Sequence, residues 1–192
     1  MRIIPDLILA SKSPRRQALL KQIGIDRFRV LPSETEEKPD ENSPSEYVLT
    51  LSRQKAENVS KNADSDDIII SADTVVSIDG VILEKPENRV DAFKMLTMLS
   101  NNRHEVYTGV TVRRGDRVES FFEVTDVYFR EIDSEEIEEY IASGEPFDKA
   151  GGYGIQGIGA RFVSRIEGDY SNVVGLPVSR LCLLLKEFGF EL

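Results

Sequence analysis

The chain has 192 residues, 40% hydrophobic and 30% charged, enough to bury a core and ordinary for a globular domain. A single cysteine, Cys182, excludes an internal disulfide and a multi-cysteine zinc site, and a single histidine, His104, argues against a histidine-rich metal site. A net charge of −10 disfavours long nucleic acid and anionic membrane as partners, but not a small phosphorylated ligand in a local basic pocket with a divalent cation.

The first element reads as a strand, Ile3 to Ala10, followed by Ser11-Lys12-Ser13-Pro14-Arg15-Arg16 and a helix through Gln17 to Gly24. Ser13 suits the N-cap and Pro14 the first helical position. Ala18, Leu19, Leu20 and Ile23 form an apolar face, and Gly24 suits the stop. This places Ser11, Lys12, Ser13, Arg15 and Arg16 around a helix N-terminus, where free N–H groups and the dipole favour an anion. A capped helix with solvated charges fits the same residues. The two arginines, with forked donors matched to phosphate oxygens, favour the phosphate reading.

Phe28 to Leu31 is a short strand candidate, and the acidic stretch after Pro32, with Glu34, Glu36, Glu37, Asp40 and Glu41, reads as a solvated loop. Ser43-Pro44-Ser45-Glu46 has capping-box spacing and opens a helix to about Asn62. Val48, Leu51 and Val59 share a stripe with Lys55; the spacing slightly favours a snorkelling lysine over one that reaches a pocket. Ile68 to Ser71 reads as a short buried strand ending in Ala72-Asp73-Thr74, with a hairpin from Val75 to Leu83 around Asp79-Gly80. Asp73 at a strand end fits a turn cap, a metal ligand or a general base.

Asn88 caps a helix to about Ser100, with Ala92, Phe93, Leu96 and Leu99 inside and Met95 at the edge. Two long antiparallel strands follow, one through Val106 to Val112 and one over Val118 to Arg130, joined by Arg114-Gly115-Asp116. Asp133 with Glu136 suggests a further capped helix, with Ile137, Tyr140 and Ile141 inside and Gly144 past its end. Six glycines then fall within 144–159. They are too closely mixed with Phe147, Tyr153, Ile155 and Ile158 for a linker, and allow close approach of backbone to a ligand. Phe162 to Ile166 returns as a strand, Asp169 to Asn172 is a turn or helix start, and the closing helix buries Leu181, Leu184, Leu185 and Phe188, with Cys182 a packing residue. No apolar run approaches the ~20 residues of a membrane span, and the N-terminus lacks the pattern of a secretory signal; the expectation is one domain over 1–192, cytoplasmic and without a membrane partner.

Ser11 to Arg16, Ser71-Ala72-Asp73-Thr74 and the glycine-rich segment, with Leu51 to Ala56, Glu84-Lys85-Pro86, His104 to Val110 and Asn172 to Pro177, resemble the Maf family of nucleotide pyrophosphatases, first known as septum formation inhibitors. The likeness runs end to end. It departs mildly at Asn101-Asn102, where a Ser-Gly-type turn is more usual, and at Arg53-Gln54. The resemblance implies an α/β fold: a twisted mixed sheet flanked by helices, two lobes with a central cleft, inosine triphosphatase-like. It implies hydrolysis of nucleoside triphosphates to monophosphate and pyrophosphate with a divalent metal, Mg²⁺, Mn²⁺ or Co²⁺. Gly-Tyr-Gly-Ile-Gln-Gly resembles the motif of the dTTP/UTP subgroup; a related subgroup acting on 7-methyl-GTP carries glutamate where this chain has Gln156. Arg15, Thr74 and Gln156 match the subgroup's specificity positions, Asp73 its proton acceptor, and Lys55, Glu37 and Lys85 other cleft positions. A homodimer is implied only by the resemblance.

On this reading Ser11, Ser13, Arg15, Arg16 and the helix N-terminus hold the triphosphate, with Thr74 and Gln156 also binding substrate. Lys55 and Lys85 neutralise charge at the α-phosphate and the leaving pyrophosphate. Glu37 and Asp73 are the candidate metal ligands, and Asp73 is also the candidate acceptor of a proton from the attacking water; the sequence does not separate base, ligand or both for Asp73. The alternatives are a non-enzymatic nucleotide-binding regulator of cell division and a purine pyrophosphatase acting on inosine, xanthosine or 7-methyl-GTP triphosphates.

Overall fold

The computed structural model describes residues 6–34, 39 and 43–191. Among them one sheet of seven strands carries six α-helices. In chain order these are β1 (Leu7–Leu9), α1 (Pro14–Gln22), β2 (Arg29–Val30), α2 (Pro44–Ser60), β3 (Ile68–Ile78), β4 (Val81–Leu83), α3 (Arg89–Leu99), β5 (Arg103–Arg114), β6 (Arg117–Phe129), α4 (Ser134–Ala142), β7 (Val163–Glu167), α5 (Tyr170–Val174) and α6 (Val178–Glu187). Three short 3₁₀ turns, Glu145–Asp148, Ala150–Gly152 and Ile158–Phe162, fill the glycine-rich stretch. The strand order is β2-β1-β3-β5-β6-β7, with β4 beside β3; β1 is parallel to β2 and β3, and the pairs from β3 onward are antiparallel. The expected mixed, helix-flanked α/β sheet is therefore present.

β3 carries the architecture. It runs eleven residues rather than ending in Ala72-Asp73-Thr74, so Asp73 lies mid-strand and not at a strand end. Along one edge β3 pairs continuously with β5, from Ile69 to Ser77. Along the other, β1 pairs as far as Ile70 and β4 starts again at Val76. Between these points residues 71–75 have no strand partner on that edge among the described residues, and the sheet opens there.

The two-residue period of β3 sorts its side chains onto two faces. Ile69 packs with Ala56 and Val59 of α2, and Val75 with Val48 and Leu51. Ser71 donates to the Ser52 carbonyl (2.6 Å) on the same face, and Asp73 meets Lys55 there. On the opposite face Ile68, Ile70 and Ala72 join Leu19, Leu20, Leu181 and Leu185 in one core. Val76 and Ile78 join Ala92, Leu96, Ile137 and Ile141 in a second. The two cores on that face are the two lobes, and the open edge of β3 lies at their junction.

The predicted turns and caps form with one exception. Asp79 and Gly80 take φ of 50° and 78°, the left-handed pair of a tight hairpin. Asn88 and Asp133 accept from the amides of Asp91 (3.0 Å) and Glu136 (2.8 Å). The capping box at Ser43 does not form: its hydroxyl pairs with that of Ser45 (2.9 Å), and Pro44 opens the helix. Ala18, expected on the apolar face of α1, is exposed. The first strand is described only from Leu7, since Ile3 to Pro5 lie outside the described residues.

α2 sits directly on the sheet at Gly109 of β5, where a Cβ would stand 2.4 Å from the Val48 carbonyl oxygen. Backbone on both sides leaves no soft neighbour to yield. Gly109→Ala is expected to cost ~2 kcal/mol or more of stability in chemical denaturation, because it levers α2, and with it Lys55, off the sheet.

Candidate active site

A cavity of about 470 Å³ opens at the gap in β3. Its walls are the β1–α1 loop (Ala10 to Arg16), Lys55 of α2, Asp73 and Thr74 of β3, Lys85 after β4, the turns from Asp148 to Gln156, and the end of α5. Asp73 and Thr74 point to opposite faces of the sheet, yet both line the cavity because no strand of the described residues pairs with that edge. Every sequence-predicted site residue lines it except Glu37, which lies outside the described residues.

Lys55 and Asp73 form its floor. The ammonium donates to the carboxylate at 2.6 Å, and the side chains are only 10% and 13% exposed. Lys55 does not snorkel. It leaves the apolar stripe of α2 inward, because the carboxylate directly across supplies the counter-charge that burial requires.

The N-terminus of α1 forms the adjoining wall. Ser13 caps it, its hydroxyl 3.5 Å from the Arg16 amide, and its own amide donates to the Ser11 hydroxyl (3.2 Å). The two arginines differ. Arg16 is tied into the scaffold, donating to the Gly175 carbonyl (2.8 Å), the Ser11 hydroxyl (3.1 Å) and the Thr74 hydroxyl (3.1 Å). Arg15 reaches across the cavity to Asp148 (3.2 Å), which also pairs with Lys149 (2.5 Å). Burial pushes the Asp148 carboxyl up, but the bonds from Lys149 and Arg15 outweigh it and hold it below the ordinary carboxylate range.

The proton order at Thr74 follows from its neighbours. The Thr108 hydroxyl donates to the Asn172 carbonyl (3.0 Å) and lies 2.9 Å from that of Thr74. With its one proton spent, Thr108 accepts from Thr74, and the Thr74 oxygen accepts from Arg16. Asn172 anchors the far end through its amide to the Val106 carbonyl and the Thr125 hydroxyl, both 3.0 Å.

The residues of this cleft lie far apart in sequence, from Ala10 to Gly175. The family described as Maf-like protein matches residues 6–188. The chain belongs to the Maf family. Among its relatives, a dTTP/UTP pyrophosphatase of Carboxydothermus hydrogenoformans is 54% identical over 186 residues, 96% of this chain and 99% of the relative. A protein of the same name from Vibrio vulnificus strain YJ016 is 50% identical over 182 residues, 95% and 98% of the two chains. One from Bacillus anthracis is 50% identical over 186 residues, 96% of each. Among solved structures, a HAM1 protein from Coxiella burnetii superposes with a TM-score of 0.52 at 12% identity, over 96% of this chain and all of that one, which shows the same fold.

Reading the Maf sequence alone missed several participants. Asp148 and Lys149 were visible only as charges within a glycine-rich run, and the tie from Arg16 to Gly175 spans 159 residues. Behind the cleft, His104 is buried. Its Nε2 lies 2.8 Å from the hydroxyl of cleft-lining Tyr153, and its ring makes edge contacts with Phe129 and Tyr153. Burial lowers the His104 pKa from 6.5 to about 3, so the imidazole is neutral at pH 7. The unfolded chain therefore binds one proton more than the fold between these values, and this contribution to stability is lost as pH falls from 6.5 toward 3. His104→Gln is expected to lose about 2 kcal/mol less stability than the wild type between pH 6.5 and about pH 5, measured as the change in denaturation midpoint.

Proposed function

We propose that this chain hydrolyses dTTP and UTP to the monophosphate and pyrophosphate by attack of water at the α-phosphate, with a divalent cation bound. The observation that carries the reading is the buried Lys55–Asp73 pair beneath an arginine-bearing helix N-terminus. A nucleotide-binding regulator would need the anion wall but not a desolvated carboxylate and ammonium under it. The names of the relatives supply the choice of substrate.

Arg15 and the first amides of α1 take the phosphate chain, with Arg15 exchanging Asp148 for phosphate oxygen. Arg16 holds the wall in shape through Gly175, Ser11 and Thr74. Lys55 and Lys85 offset the charge that grows on the phosphoryl oxygens and the departing pyrophosphate. Asp73 accepts the proton of the attacking water. A side-chain nucleophile is the poorer alternative: His104 is engaged by Tyr153, and Cys182 on α6 does not line the cavity.

The donors present suit a hard cation. Asp73 supplies a carboxylate inside the cavity and Glu37 is the second proposed ligand. The described residues hold no group of three or more ligating side chains; one or two carboxylates beside substrate phosphates is a donor set that suits Mg²⁺. When bound, Mg²⁺, Mn²⁺ or Co²⁺ neutralises charge on the phosphate oxygens. Gln156 is exposed at the rim, on the glycine-rich turn. Its amide both donates and accepts, as the N3–H and O4 edge of uracil or thymine requires. No helix among the described residues is long and apolar enough to cross a membrane. We take the chain as one catalytic domain acting on free cytoplasmic nucleotides.

Chromatography of dTTP incubated with protein and Mg²⁺ is expected to show dTMP and pyrophosphate, lost on adding EDTA. Release of dTDP and phosphate, or intact dTTP and UTP with all three metals, would overturn the proposal. In the same assay Asp73→Asn is expected to lower kcat by ~10² or more. Gln156→Glu is expected to lose dTTP turnover, since a carboxylate cannot donate to O4.

A further inference from the structure

Glu145 lies outside the cavity lining and has no role in the chemistry above, yet its carboxylate is fully engaged by the glycine-rich turn. Oε2 accepts from the Ile158 amide (2.8 Å), and Oε1 accepts from the Gly159 amide (3.0 Å) and the Tyr140 hydroxyl (2.9 Å). The Tyr140 oxygen in turn accepts from the Gly154 amide (3.3 Å). The segment carrying Gln156 is thus fastened on both sides, at 154 and at 158–159, by one carboxylate and one phenol. Gly157 completes the fit: a Cβ there would stand 2.4 Å from Oε2, so the carboxylate occupies the space a side chain would take. Both oxygens face N–H or O–H donors, which only an ionised carboxylate satisfies. Burial opposes that charge, but the Gly159 and Ile158 amides and the Tyr140 hydroxyl hold the carboxyl below the ordinary range. Burial keeps the Tyr140 hydroxyl protonated and therefore a donor.

We infer that Glu145 is a positioning residue for Gln156: its carboxylate gathers the amides that follow Gln156 and fixes the turn that presents this side chain to the base, so it sets pyrimidine selectivity without touching the nucleotide. The selectivity part rests on the reading of Gln156 given under Proposed function; the fastening of the turn does not.

The test compares wild type, Glu145→Gln, Gln156→Ala and the double variant. In Glu145→Gln the amide nitrogen must face a backbone donor. Amide hydrogen exchange in the free protein is expected to quicken about tenfold or more in the peptides spanning 154–159 and to stay unchanged elsewhere. In steady state KM for dTTP is expected to rise about tenfold with kcat within about threefold, and the preference for dTTP over dGTP to fall. Adding Glu145→Gln to Gln156→Ala is expected to do no further harm, because the two act on one contact. Should Glu145→Gln fail to fold, Tyr140→Phe removes only a hydroxyl and is expected to act in the same direction with smaller size. Unchanged exchange at 154–159 in Glu145→Gln or its substitute would overturn the fastening. Additive losses in the double variant, or an unchanged base preference, would overturn the positioning of Gln156. If wild type does not turn over dTTP, the selectivity part falls together with the proposed function, and exchange alone then decides the fastening.

Discussion

The structure depends on an opening in one edge of β3. β1 stops pairing at Ile70 and β4 resumes at Val76, so five residues of a central strand keep their β5 partners on one side, and two of them, Asp73 and Thr74, line a cavity on the other. A gap in mid-sheet would ordinarily leave backbone groups and apolar side chains exposed. Here the β1–α1 loop and the glycine-rich turns wall it, and the strand carries Asp73 and Thr74 where apolar residues would otherwise stand. Taking a carboxylate and an ammonium out of water costs several kcal/mol per ion, and their attraction returns that cost only with good geometry. The Lys55–Asp73 pair is therefore a weak device for stability. It suits a reaction in which charge builds on phosphate, where a desolvated and oriented ion pair acts without reorganising.

That opening also decides what could be read from the sequence. The caps at Asn88 and Asp133, the Asp79-Gly80 turn and the alternation of β5 and β6 are local, and each formed as its residues require. The length of β3 is hidden in the sequence because Ser71, Asp73 and Thr74 interrupt its apolar run. Polar residues in mid-strand look like a strand end when nothing shows that Ser71 bonds into α2 and that the others face a cavity. The burial of Lys55 is hidden for the same reason: period places it on the buried stripe of α2 but cannot show the carboxylate 18 residues away that makes burial tolerable. The family resemblance supplied what periodicity lacked, because it carries the order of the site residues. It did not supply the ties between them, such as Arg16 to Gly175, or Glu145 to the amides beyond Gln156.

Those ties divide the basic residues of the cleft into two kinds. Arg16 gives its donors to a carbonyl, a serine and a threonine belonging to three parts of the chain: the α5–α6 turn, the loop before α1, and β3. Removing it would loosen the wall itself. Arg15 pairs, among the described residues, with Asp148, whose side chain is largely exposed. An ion pair of that kind is worth ~0–1 kcal/mol, little enough for a phosphate carrying more charge to displace it. On the proposed reading, Asp148 keeps Arg15 paired until a nucleotide arrives and yields it at small cost. Because Asp148 and Glu145 share one 3₁₀ turn, the residue that leaves Arg15 and the residue that fastens the Gln156 turn are joined by a single turn of backbone. On the proposed reading, the phosphate end and the base end of the cleft are therefore held by the same few residues.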